Sequence, residues 1–227
     1  MDKNELKSIK EDVRKEFQVE RMILFSDAVF AIVITLMAIE IKLPHSEQKL
    51  TEELFFHQCI HLLPIVFAYA VSFFFVGLIW YRHLKIFSVV KTYDLRLIVH
   101  NLSLLFFVGL FPFGASFVSG GQTGYIIRLS VYFGIIISCL YAQFFLQHYV
   151  LIKKPELREE EADINELMDV YKKSVPSLFA LPLAFSLTAI TYFIVDNPEL
   201  RGLSSLWIMI IPLAQLIYKK RNPKFNK

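Results

Sequence analysis

Residues 21–43, RMILFSDAVFAIVITLMAIEIKL, constrain this chain more than any other stretch. Thr35 is the only polar side chain between Ala28 and Ile39, and Glu40 and Lys42 close the run. As a helix at ~1.5 Å per residue, residues 22–43 reach about 33 Å, enough to cross a bilayer. Asp27 lies just inside the apolar run. A charged side chain costs ~2.5–3.5 kcal/mol at mid-membrane on insertion scales, and less near an end, so Asp27 should have a partner and a task.

Composition makes this helix one of several. Hydrophobic residues are 55% of the 227, and mean hydropathy is +0.48. Soluble domains average about 45–50% apolar even when Gly is counted, so a polytopic membrane protein is expected. Five further apolar segments follow. They predict an all-α membrane protein with six spans, at 22–43, 61–81, 97–118, 125–152, 175–195 and 203–218, and a basic tail at 219–227. Pro64, Pro112, Pro182 and Pro212 interrupt spans two, three, five and six, which membrane helices tolerate better than soluble ones. Residues 1–20 are charged and polar, unlike a cleavable signal peptide. Leu6, Ile9, Val13 and Phe17 recur there at helical spacing, predicting a short amphipathic cytoplasmic helix outside the bilayer. The simpler alternative is a solvated tail.

Charge placement predicts the orientation. Twenty Lys and Arg fall in the N-terminal tail, the loop 82–96, the loop after span four and the C-terminal tail; four fall on the other side. Basic residues favour the cytoplasmic side, so both termini should be cytoplasmic. The polar linker 153–174 reads as a short cytoplasmic helix. The Phe25-Ser26-Asp27 stretch occurs once, so a pore built from equivalent copies needs several subunits.

At 100° per residue, Thr35, Leu36 and Ile39 lie within about 60° of Ile32, forming one stripe, while Ser26 and Asp27 lie about 120° and 140° away. Alternating topology brings Asp27 to the same layer as His83 at the end of span two and Asn101 near the start of span three. An imidazole and an amide could satisfy the buried carboxylate there, pinning the first helix to its neighbours. Enzymatic chemistry finds no support: there is no nucleophile beside a base, no HExxH and no Gly-rich phosphate loop. His57 and His61 are four apart and could hold a metal weakly, though an interfacial helix face is the simpler account. Cys59 and Cys139 suggest no disulfide framework. Neither a cofactor, a resident metal nor a nucleic acid partner is expected.

Arg21-x-x-x-Phe25-Ser26-Asp27 followed by Ala28-Val29-Phe30-Ala31-Ile32 resembles the signature of the endosomal and lysosomal potassium channel family, transmembrane protein 175, and its prokaryotic homologues. Trp80 with His83, and Asn101-Leu102 followed by Pro112-Phe113, extend the likeness through span three; beyond it only hydropathy and length agree. The resemblance implies a homotetramer of six-helix subunits in the cell membrane, with the first helix lining a central potassium-permeable pore. It assigns Ile32, Leu36 and Ile39 to the pore constriction and Thr35 to selectivity. Arg21, Phe25, Ser26, Asp27, Trp80, His83 and Asn101 take a packing role that anchors the helices. The expected partners are further copies of the chain, the lipid bilayer, K⁺ and, as an alternative permeant ion, H⁺.

Rings of Ile and Leu can gate by dewetting, since a hydrated ion crossing them finds nothing to replace its water. The chain lacks a Thr-Val-Gly-Tyr-Gly carbonyl filter and the arginine repeat of a voltage sensor. Glu40, Glu47, Glu52 and Glu53 outnumber Lys42 and Lys49 near the predicted outer mouth, mildly favouring cations. A secondary cation transporter is the rival class, although it would be expected to show internal repeats, and none is evident. A structural membrane partner without conduction is a third.

Overall fold

The computed structural model describes residues 3–39, 41, 52–119 and 125–195, with isolated positions 210, 213, 214, 217 and 218. Its elements are α1 (Lys3–Ile39), α2 (Glu52–Phe87), α3 (Leu95–Gly109), α4 (Phe111–Ser119), α5 (Tyr125–His148) and α6 (Asn165–Ile194). A single π-helical stretch, Tyr149–Lys153, continues α5, and a short 3₁₀ turn follows at Pro155–Leu157. Among the described residues, five stretches are long and apolar enough to cross a membrane: Val13–Ile39, Tyr69–Phe87, Leu95–Val118, Ile127–Lys153 and Asn165–Ile194. Apart from the isolated positions, the sixth predicted span at 203–218 lies outside the described residues, as do the basic tail, Glu40, Lys42, Glu47 and Lys49.

Several boundaries differ from the sequence expectation, each for a local reason. The amphipathic N-terminal segment is not a separate helix. Residues 3–20 contain neither Gly nor Pro, so nothing interrupts the i→i−4 ladder, and α1 runs unbroken from Lys3. Its 37 residues extend about 55 Å, far more than a ~30 Å hydrocarbon core. The third predicted span is two helices. Pro112 cannot donate to the carbonyl four residues back, and α3 closes at Gly109 before α4 restarts at Phe111. The linker 153–174 is a helix only in its second half, which forms the first turns of α6; the first half is the 3₁₀ turn and extended chain.

The helices share heptad-like buried rows. On α2 these are Ser72, Val76, Ile79, His83 and Ile86, on α3 Leu97, Asn101, Leu104 and Val108, and on α5 Ile135, Cys139, Ala142 and Leu146, with Tyr149 in the π-helical continuation. Lipid tails are as apolar as Leu, so these rows are held by close van der Waals packing and interhelical hydrogen bonds rather than by expulsion of water. Gly114 marks one close approach: a Cβ there would come within 2.8 Å of Ile135 Cδ1 and 3.0 Å of Tyr132 Cδ2. Pro182 inside α6 frees the carbonyl of Leu178, which instead accepts a hydrogen bond from Tyr141 Oη on α5 at 2.8 Å.

At one end of the bundle the α2–α3 and α5–α6 connections meet. Val90 and Arg158 form an isolated antiparallel bridge, Lys91 N donates to Leu157 O at 2.9 Å and Glu159 N to Val89 O at 3.0 Å. Both loops expected on the basic side therefore lie together. Asp94 organises this end. Its carboxylate caps α3 by accepting from Leu97 N at 2.8 Å and accepts a second hydrogen bond from Tyr149 Oη. Burial pushes its carboxyl upward, but the bonds from Tyr149 and Leu97 and the charges of Lys154 and Arg96 outweigh that and hold it below the usual range.

Candidate pore helix and its polar anchor

α1 presents two faces. Val19, Ser26, Phe30, Val33 and Met37 are buried, and all lie between about 100° and 160° from Ile32 on the helical wheel. The opposite face is bare in the single subunit: Ile32, Leu36 and Ile39 are 56%, 44% and 63% exposed. Thr35 is exposed beside them. Its hydroxyl donates back to the helix, to Ile32 O at 2.8 Å and Ala31 O at 3.1 Å.

Ser26 sits near the centre of the buried face. Its hydroxyl donates to Met22 O at 2.8 Å and accepts from Asn101 Nδ2 of α3 at 2.9 Å. Asn101 Oδ1 in turn accepts from His83 Nε2 of α2 at 2.8 Å. That bond puts the imidazole proton on Nε2, so Nδ1 carries a lone pair, and it has no hydrogen-bond partner among the described residues. The ring packs on Phe87, centroid to centroid 4.4 Å, and on Phe30 at 5.6 Å. Ser26, Asn101 and His83 thus form one buried chain across three helices.

Asp27 does not join that chain. Its carboxylate accepts from Trp80 Nε1 at 2.8 Å, not from His83 or Asn101 as its layer suggested. The cause is azimuth: Asp27 lies 100° further round the helix than Ser26, at the edge of the buried face, where it is half-buried and meets the flank of α2. Ser26, which the sequence reading placed beside Asp27 without a partner of its own, holds the central position. Arg21 and Phe25 are exposed, Phe25 at 53%. His100 packs against Tyr149, ring centroids 5.0 Å apart. No group of three or more His, Cys, Asp or Glu side chains suited to a metal occurs among the described residues.

The model of the endosomal/lysosomal potassium channel TMEM175 family matches residues 21–112. That segment holds both faces of α1 and all three helices of the hydrogen-bonded chain. Over those residues the chain is similar to the TMEM175 family. Curated relatives match over a similar length. A potassium channel of Chryseobacterium sp. (strain P1-3) is 34% identical over 98 residues, 43% of this chain and 47% of that one. One from Streptomyces collinus is 37% identical over 92 residues, covering 40% and 43% of the two chains. The alignment thus spans about half the length of these curated relatives. The crystal structure of a lysosomal potassium-selective channel TMEM175 homolog from Chamaesiphon minutus superposes with a TM-score of 0.65, covering 92% of this chain and 99% of that one at 24% identity. At that identity the likeness is one of fold alone.

Proposed function

We propose that this chain is one subunit of a potassium-permeable cation channel in the cell membrane, with four copies placing their first helices around a central pore. The observation that carries this reading is the bare apolar stripe of α1, inside the segment that matches a potassium channel family, with its opposite face tied to α2 and α3.

In this arrangement Ile32, Leu36 and Ile39 form stacked apolar rings. Such rings exclude water when narrow, and a hydrated ion cannot cross without losing its shell, so conduction requires the rings to separate. Thr35 lies on the same stripe. Because its proton is spent on α1 carbonyls, its oxygen would offer lone pairs toward the axis, an acceptor ring suited to a cation. The polar residues serve position. Ser26, Asn101 and His83 set the rotation of α1 against α3 and α2, and Asp27 with Trp80 sets its edge; Arg21 and Phe25 belong to the same anchoring motif at the helix entrance. Both termini are cytoplasmic in this reading, residues 21–218 form the six-helix channel domain, and residues 1–20 and 219–227 flank it on the cytoplasmic side.

Proteoliposome flux tests the reading. Purified protein should carry K⁺ in steps resolvable in single-channel records, with K⁺, Na⁺ and H⁺ compared in parallel assays. Ile32→Asn should raise the resting flux and reduce discrimination between K⁺ and Na⁺. Unchanged flux in that variant would place the stripe against lipid or protein. Slow, saturable flux that depends on a counter-ion would indicate a transporter.

A further inference from the structure

A second polar feature lies away from α1, between α5, α6 and the end of α2. A cavity of about 560 Å³ opens there. Two glutamines on one face of α5 line it: Gln143 is 2% exposed and Gln147 1% exposed. Gln143 has neither amide atom hydrogen-bonded among the described residues, and Gln147 leaves its Nε2 unpaired. An unsatisfied amide inside a membrane-spanning helix is unfavourable, since no water is at hand to replace the missing partner. Two of them on one cavity wall call for a ligand that both accepts and donates hydrogen bonds.

The rest of the wall specifies its charge and shape. Arg82, Lys172 and Lys173 contribute cations, the last paired with Asp169 at 2.5 Å, and no carboxylate lines the cavity among the described residues. Leu140 and Leu181 supply apolar surface. Counting back from Lys153, Gln147 lies about 9 Å and Gln143 about 15 Å along the helix from the end of the span. The cavity therefore runs from the basic end of the bundle toward the middle of the membrane, cationic outside and amide-lined within.

We propose that this cavity binds a glycerophosphate head group, with the phosphate held by Arg82, Lys172 and the glutamine N–H groups and a head-group hydroxyl donating to Gln143 Oε1. A phosphate offers several strong acceptor oxygens to a guanidinium fork and two amides at once. The hydroxyl answers the one orphan acceptor, Gln143 Oε1, which phosphate alone would leave unpaired. Leu140 and Leu181 accommodate the apolar part when the ligand is a lipid. This site is separate from the stripe of α1 and does not depend on conduction.

The test uses the full-length protein in neutral detergent, titrated with short-chain phosphatidylglycerol, phosphatidylcholine of the same chain length and glycerol phosphate, and read by thermal melting and native mass spectrometry. Phosphatidylglycerol should bind about tenfold more tightly than phosphatidylcholine, a difference of about 1.4 kcal/mol, and Gln143→Leu/Gln147→Leu should erase that preference. Glycerol phosphate binding as tightly as the lipid would support the head-group site and assign it a soluble ligand; weaker binding would assign it a lipid. Equal binding of the two lipids, or an unchanged preference in the double variant, would overturn the proposal. Should the double variant not fold, Leu140→Trp, which narrows the cavity from its apolar wall, must weaken phosphatidylglycerol binding; no change there would overturn it equally.

Discussion

The two faces of α1 differ in how they are satisfied. On the buried face, Ser26 is bonded to α1 and α3, and the flanking Asp27 is bonded to α2. On the bare face, Thr35 bonds back to its own helix, and Ile32, Leu36 and Ile39 are exposed in the single subunit. The contrast separates two kinds of sensitivity. Changes on the first face should act on stability and assembly, and changes on the second on flux.

Asn101→Leu should break this contrast most severely. It removes both bonds of the central residue, leaves His83 Nε2 buried without a partner and leaves Ser26 with only its bond to Met22 O. At about 1–3 kcal/mol for the unsatisfied imidazole and about 1 kcal/mol for the lost bond to Ser26, the loss is about 2–4 kcal/mol, to be read as a fall in melting temperature and in the yield of folded protein. A near-neutral result would mean that α1 takes its orientation from apolar packing alone. Trp80→Phe keeps an aromatic ring but removes the donor to Asp27. Because that pair is partly exposed, a smaller loss of about 1–2 kcal/mol is expected, and a melting curve shows whether the edge contact matters less than the central one.

Acid offers a third probe, acting on the end of the bundle that positions α3. The Asp94 carboxyl sits below its ordinary range in the folded chain, so its charged form stabilises the fold. That contribution is fully present above the unfolded value of about 3.9 and is lost as pH falls through the lower folded value. Melting temperature should therefore drop as pH is taken below about 4, and Asp94→Asn, which retains a capping side chain, should flatten that part of the profile. A profile identical in the variant would assign the acid sensitivity to other carboxylates. The smallest stability effect is expected on the bare face. Ile32→Asn or Leu36→Asn should cost less stability than either change on the anchored face if the stripe lines a pore axis, about 1 kcal/mol or less, while altering flux. A large loss of stability in these variants would mean the stripe meets lipid.

Much of this arrangement is legible before any coordinates. The 100° rotation per residue is enough to separate Ile32, Thr35, Leu36 and Ile39 from Ser26 and Asp27, because a helix is a rigid cylinder and azimuth follows from residue number. The same rule explains the error over Asp27. A layer argument sets only height along the bundle, so it grouped Asp27 with His83 and Asn101; azimuth relative to α2 and α3 decides contact, and it favours Ser26. Gln143 and Gln147 carried a signal that went unread. Two amides four residues apart in an apolar helix lie on one face, and that alone marks a polar seam inside the membrane.

The sequence by itself determined the membrane class, the number of apolar crossings within the described residues though not their bounds, the two faces of α1 and the likeness of its first three spans to the TMEM175 family. These depend on hydropathy, period and local motif, all properties of neighbouring residues. The tertiary structure decided which polar groups meet: Trp80 with Asp27, Asn101 between Ser26 and His83, Tyr141 on the carbonyl freed by Pro182. It also joined the N-terminal segment to α1 and opened the cavity beside Gln143. Each of those partnerships except the N-terminal join depends on how far one helix is rotated and shifted against another. No single stretch of chain encodes that; it emerges only when all the helices compete for the same space and the same hydrogen bonds.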